Sequence, residues 1–114
     1  MISVKEIRVL KGILSVPVNS TLIDIACWIY QKTGDLIITS GYRPRDMGVH
    51  GQNPLRGMDI RSHVYTDPKR LCELINDRWK YDPARPEMVC AMVHGFHVHI
   101  HLQVHPRTRL RGDK

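Results

Sequence analysis

Apolar residues recur along this chain at two spacings, and the change from one to the other marks its elements. Leu22, Ala26, Ile29 and Tyr30 fall on one side of a 3.6-residue repeat, which predicts an amphipathic helix beginning at Asn19-Ser20-Thr21. Asn19 or Ser20 caps its start and Gly34 ends it. Leu36-Ile37-Ile38-Thr39 is apolar and β-branched, a buried strand feeding the turn-forming Ser40-Gly41-Tyr42-Arg43-Pro44. A loop with Gly48, Gly51, Pro54 and Gly57 follows, then a short strand, Met58-Asp59-Ile60-Arg61. Thr66-Asp67-Pro68 starts a second helix, with Pro68 tolerated in the first turn. Its apolar face is Leu71, Leu74, Ile75 and Trp79, so Trp79 belongs to the core. Residues 2–14 are mixed and suggest only a short strand or turn.

Near the C-terminus the period becomes two. His97-Val98-His99-Ile100-His101 alternates imidazole with branched aliphatic side chains. On a strand the three histidines stand in one row, while Val98 and Ile100, with Phe96 and Leu102, face the core. Met88 to Val93 forms the partner strand of a hairpin with His94-Gly95 as a two-residue loop. In that register Cys90 pairs with His99 and Met88 with His101, so Met88, Cys90 and Met92 line the histidine face. Glu87 points away from that face unless the register slips by one residue. The predicted class is α+β, an antiparallel sheet with helices on one face.

Composition narrows the chemistry. A chain of 114 residues makes one domain with one modest core. Three cysteines without a CxxC spacing argue against a disulfide framework and a four-thiolate metal site; Cys27 and Cys72 read as core thiols. No apolar run is long enough to cross a membrane, so no membrane partner is expected. Met1-Ile2-Ser3-Val4-Lys5-Glu6 lacks a secretory pattern, which predicts synthesis in the cytoplasm. The formal charge of +6 favours anionic partners, and part of it lies in residues 105–114, which read as a basic, flexible tail. Specific nucleic-acid binding is not expected. His63, His94 and His105 read as solvated, and Asp24, Asp35, Asp67, Asp77 and Asp82 as caps or surface carboxylates.

Neutral imidazole is a common metal ligand, and a row of three points to an ion. A catalytic zinc takes three nitrogen or carboxylate ligands and keeps a fourth position open. His50 and Asp59 supply one of each, and one histidine of the 97/99/101 row supplies the third.

Ser40-Gly41-Tyr42-Arg43-Pro44, then His50 leading to Gly57-Met58-Asp59-Ile60, then a late HxH, resembles the zinc D-Ala-D-Ala carboxypeptidase-like family. That family acts on peptidoglycan peptides and shares its fold with lysostaphin-type enzymes and the hedgehog signalling domain. The resemblance spans about residues 36–104 and is to the short, phage-encoded members. It implies one Zn2+ per chain held by His50, Asp59 and His101, with His99 transferring protons or steadying the oxyanion. Arg43 would bind a substrate carboxylate or the tetrahedral intermediate; its structural role would be a turn arginine paired with Asp46. The implied activity is hydrolysis of a peptide bond in peptidoglycan stem or cross-link peptides, after release at lysis or carriage in a virion.

Three departures from the family pattern leave choices open. Asp59 lies nine residues beyond His50 rather than seven, implying a longer Gly51–Arg56 loop that bulges outward. The usual glutamate three residues before the last ligand is Val98 here, so the base is His99, His97 or a slipped Glu87. His97 and His99 also compete with His99 and His101 for the HxH roles. Two other functions remain: a metal-dependent nickase of single-stranded DNA, and a zinc-bearing docking module without catalysis.

Overall fold

A computed structural model describes residues 1–96 and 98–112. Along the chain run strand β1 (Ile2–Val4), helices α1 (Ile7–Leu14) and α2 (Ser20–Thr33), β2 (Leu36–Ser40), a 3-10 turn (Val49–Gly51) and β3 (Gly57–Arg61). Helix α3 (Pro68–Arg78), β4 (Trp79–Lys80), β5 (Ala91–His94), β6 (His99–Gln103) and β7 (Arg109–Leu110) complete it. The helix ends follow their local chemistry. The Asn19 side chain accepts from the backbone N–H groups of Thr21 and Leu22, at 2.9 and 3.4 Å. Gly34 closes α2 at φ 83°, a conformation open to glycine. Asp67 caps α3 through the Arg70 N–H at 3.1 Å.

The class is α+β, as expected, but the five-stranded sheet, ordered β1-β2-β3-β6-β5, is mixed. Residues 2–14 hold a strand and an eight-residue helix, where only a strand or turn was expected. β1 pairs with β2 in parallel, because α1 and α2 lie between them as the long crossover parallel neighbours need. All other pairs in the sheet are antiparallel. Leu22, Ile25 and Ile29 of α2 and Leu71 and Ile75 of α3 pack with Met58, Ile60, Ile100 and Leu102 of the sheet. Trp79 joins them, as its spacing predicts. Helix α1 stays outside this cluster and packs near Gly41, where Ile13 approaches the glycine so closely that a Cβ would collide with it.

The hairpin departs from the predicted register. Met92 faces His101, Val93 faces Ile100 and His94 faces His99, a shift of four residues. Gly95 and Phe96 turn the chain with φ of 64° and 57°, and His94 belongs to β5, so the two-residue loop His94-Gly95 does not form. An even shift keeps the paired residues Met92 and Val93 on their predicted faces. It does carry Phe96 and Val98 out of the core, into solvent. Cys90 now precedes β5 and is buried with the apolar core; burial pushes its thiol up to about 12. Cys72 is buried as expected and pushed up to about 11 for the same reason, whereas Cys27 is exposed on α2.

Residues 105–112 are not a free end. β7 pairs with β4, Arg111 N donates to the Arg78 carbonyl at 2.8 Å, and Arg111 Nε donates to the Asn76 carbonyl at 2.7 Å. Asp82, expected at the surface, is fully buried and accepts from Arg107 at 2.8 Å and from Ala84 N–H at 3.0 Å. The Ala84 bond is the main cause holding its carboxyl below the ordinary range. Arg78 of α3, whose carbonyl receives the Arg111 N–H, lies over both Trp28 and Trp79, whose rings meet edge to face. No helix among the described residues is long and apolar enough to cross a membrane.

Candidate metal centre

Pairing of β3 with β6 sets Asp59 directly opposite His101, with Arg61 opposite His99 and Gly57 opposite Gln103. Opposed residues on one face of an antiparallel pair have Cβ atoms roughly 5 Å apart. The sheet therefore holds a carboxylate and an imidazole side by side with no help from loops. His50 arrives from the 3-10 turn, which is braced on both sides. Arg43 N donates to the His50 carbonyl at 2.7 Å, and Arg56 N donates to the Val49 carbonyl at 3.3 Å. Gly51–Arg56 does not bulge freely outward: Leu55 is fully buried in the core and bonded through its backbone to Pro17 and Asn19.

One ligand atom each from His50, Asp59 and His101 lies within 4.8 Å of the other two. The hydrogen bonds around them determine what those atoms offer. His50 Nδ1 is 2.8 Å from the Gly41 carbonyl, which only accepts, so Nδ1 carries the proton and Nε2 keeps a lone pair. That Nε2 is buried, without a hydrogen-bond partner, and 3.4 Å from Asp59 Oδ1. The Gln103 amide donates to the Val89 carbonyl at 2.8 Å, which turns its oxygen toward His101 Nε2 at 3.1 Å. His101 therefore holds its proton on Nε2 and directs the Nδ1 lone pair at Asp59 Oδ1, 2.9 Å away. With both rings neutral, two nitrogen lone pairs and a carboxylate oxygen face one another with no proton between them. A cation relieves that repulsion, as do protons on the rings. Burial by itself raises the Asp59 carboxyl, but wherever a ring proton does lie between them, hydrogen bonds and positive charge from His101 and His50 reverse this and the net shift is strongly downward.

The spacing suits a small divalent ion. Ligand bonds of about 2.0–2.1 Å in tetrahedral directions put neighbouring donor atoms about 3.3 Å apart, close to the 3.4 Å between His50 Nε2 and Asp59 Oδ1. His50, Asp59 and His101 can thus hold a metal ion, and they are the three ligands the family resemblance implied.

No family model, curated protein or solved structure matches this chain. The site accordingly rests on its own geometry.

Two further imidazoles border the trio. His94 Nε2 stands 3.4 Å from Asp59 Oδ1, its side chain 42 % exposed, and its ring is 5.3 Å from that of His101. Sequence reading left His94 to solvent; the four-residue register shift brings it to β5, opposite His99. Nothing in the local sequence reveals that shift. His99 Nδ1 is 3.3 Å from Thr39 Oγ1, whose own proton goes to the Asp59 carbonyl at 3.2 Å. Thr39 therefore accepts from His99 Nδ1–H and leaves the Nε2 lone pair free. Gln103 was also missed, although its parity with His99 and His101 places it on their face.

Other candidates lie elsewhere. Arg43 pairs with Asp46 at 3.1 Å and is half exposed, the turn pairing foreseen for it. Glu87 is exposed and 3.8 Å from Arg85, in a turn ahead of β5 and outside the paired strands. Cys90 sits in the apolar core. His97 lies outside the described residues.

The Gln103 contact makes a quantitative expectation. Changing Gln103 to leucine frees the His101 ring to rotate and to switch tautomer. Affinity for a divalent ion is expected to fall roughly 10- to 100-fold, as for other second partners of metal-bound histidine. Calorimetric titration of the apo protein checks this; unchanged affinity would mean that Gln103 does not orient the ligand.

Proposed function

We propose that this chain is a zinc-dependent hydrolase of peptide bonds in bacterial cell-wall peptides, built on the hedgehog/DD-peptidase plan. The observation that carries this reading is the convergence of the His50 Nε2, Asp59 Oδ1 and His101 Nδ1 donors, with His94 and His99 beside them. Two imidazoles and a carboxylate are a donor set suited to a catalytic zinc with an open position. The ion would supply Lewis acidity, polarising a carbonyl and lowering the pKa of bound water to about 7.

The chain's own groups do the rest. His50 and His101 are held in single tautomers by Gly41 and Gln103. His99 Nε2, left as an acceptor by the Thr39 contact, takes a proton from the attacking water and delivers it to the leaving amine. Water adds to the carbonyl carbon, the C–N bond breaks, and carboxylate and amine leave. Arg43 exchanges Asp46 for a substrate carboxylate or steadies the developing oxyanion. A histidine in place of glutamate keeps the proton path on the same sheet face as the ligands.

Metal analysis of the purified protein, followed by incubation with purified peptidoglycan and mass analysis of the products, tests this reading. One zinc per chain and newly hydrolysed peptide bonds are expected. Intact peptides with zinc retained would favour a docking module. Nicking of single-stranded DNA by the same preparation would move the chain to the nuclease class.

A further inference from the structure

A groove of about 880 Å³ opens between α1 and the stretch from the end of β2 to Asp46. Thr39 and Gly41 are among the residues that line it. These residues also brace the metal centre, Thr39 through His99 and Gly41 through His50. The groove therefore shares two bracing residues with the candidate metal centre.

Its charged lining is unbalanced. Arg8, Lys11, Arg43 and Arg45 face two acids, Glu6 and Asp46. Glu6 is 2.8 Å from Arg8 and Asp46 is 3.1 Å from Arg43, so these four cancel in pairs. Lys11 and Arg45 remain, both exposed and without an acidic partner among the described residues. Val9 and Tyr42 supply apolar surface in the same groove. The size suits a short segment of a few residues and not a long polymer.

Resting on the proposed peptidase reading, we propose that this groove binds a dianionic peptide segment, with one carboxylate at Lys11 and one at Arg45. The site would select wall peptides whose side-chain carboxylates are free over those in which they are amidated. Two cations on opposite walls, one from α1 and one from the loop after β2, favour two separated carboxylates over a single one. Arg43 is not counted in this pair, because its carboxylate role, reached only by exchanging Asp46, lies at the reacting centre.

The test is a nuclear magnetic resonance titration of the isotope-labelled, zinc-loaded full chain. The probe is N-acetyl-glutamate, a dianion, with N-acetyl-glutamine, a monoanion, as control. Saturable shifts at Gly12, Gly41 and Arg45 are expected with the dianion, with binding at least about threefold weaker for the control. The double variant Lys11→Gln, Arg45→Gln is expected to lose the shifts while keeping its zinc, and Lys11→Arg with Arg45→Lys to retain them. Equal response to both probes, or shifts surviving in the glutamine double variant, would overturn the proposal. Binding in the groove by a preparation that hydrolyses no wall peptide would sink the peptidase reading and leave the anion site standing.

Discussion

Alanine at His50 is expected to leave the folded protein without its ion. The side chain is buried and supplies one of the three donor atoms found in mutual reach among the described residues, and His94, the neighbouring imidazole, is 42 % exposed and makes no such trio with them. Losing an orienting partner alone weakens metal sites by roughly 10- to 100-fold, and losing a ligand should cost more than that. Wall-peptide hydrolysis should disappear with the ion. The substitution also leaves the Gly41 carbonyl without its donor, which costs roughly 1–3 kcal/mol of stability. Asp59→Asn separates the two effects. An amide of the same shape removes the negative charge and can donate to the imidazole lone pairs. Zinc content should fall as in His50→Ala, while the thermal midpoint of the apo protein stays near that of the parent. If His50→Ala and Asp59→Asn both keep one zinc per chain and full activity, the site has been assigned wrongly.

Gly51→Ala should be nearly as damaging, for a reason of backbone proximity. A Cβ at Gly51 would fall on the carbonyl oxygen of Asp46 and lie 2.8 Å from its carbon, with the Arg43 carbonyl oxygen at 3.3 Å. These are backbone atoms and cannot rotate aside, so the turn itself must open. That turn carries His50, whose neighbours Arg43 and Gly48 hold it by backbone bonds. Expected losses are about 1–3 kcal/mol of stability from overpacking and 10-fold or more in ion affinity from displacement of His50. Thermal unfolding and calorimetric zinc titration measure the two separately. Gly34→Ala is the control. It meets nothing within 4 Å but sits at φ 83°, so it should cost stability without touching ion affinity. An ion affinity unchanged by Gly51→Ala would show that the loop tolerates movement and does not pre-set the ligand.

The readable parts of this chain were those determined by short-range chemistry. Asn19, Gly34 and Asp67 mark helix ends because each makes its capping bond or special φ within four residues. The two faces of β6 follow from alternation alone, which is why His101 and Ile100 lie on opposite sides whatever their partners. Residues whose place depends on distant chain were misread. His94 reaches Asp59 only because the hairpin pairs four residues away from the shortest loop. Asp82 is buried with Arg107 returning to bond it, and Cys27 is exposed on a groove it shares with Trp79 and Leu110.

By itself, the order of residues determined an α+β class, His50 and Asp59 as ligand-type residues and one face for the histidines of the 97/99/101 row; the choice of His101 among them came from the family resemblance. The class, the ligand types and the shared face rest on side-chain type, periodicity and capping, all local properties. Only the tertiary structure decided that His50 meets Asp59 and which nitrogen each ring presents. It also decided that the C-terminal segment is pinned and that His94 borders the site. These depend on strand register, on backbone carbonyls such as Gly41 and Val89, and on chain returning from far away. Pairing energies of that kind accumulate over whole elements, so no short stretch of residues encodes them.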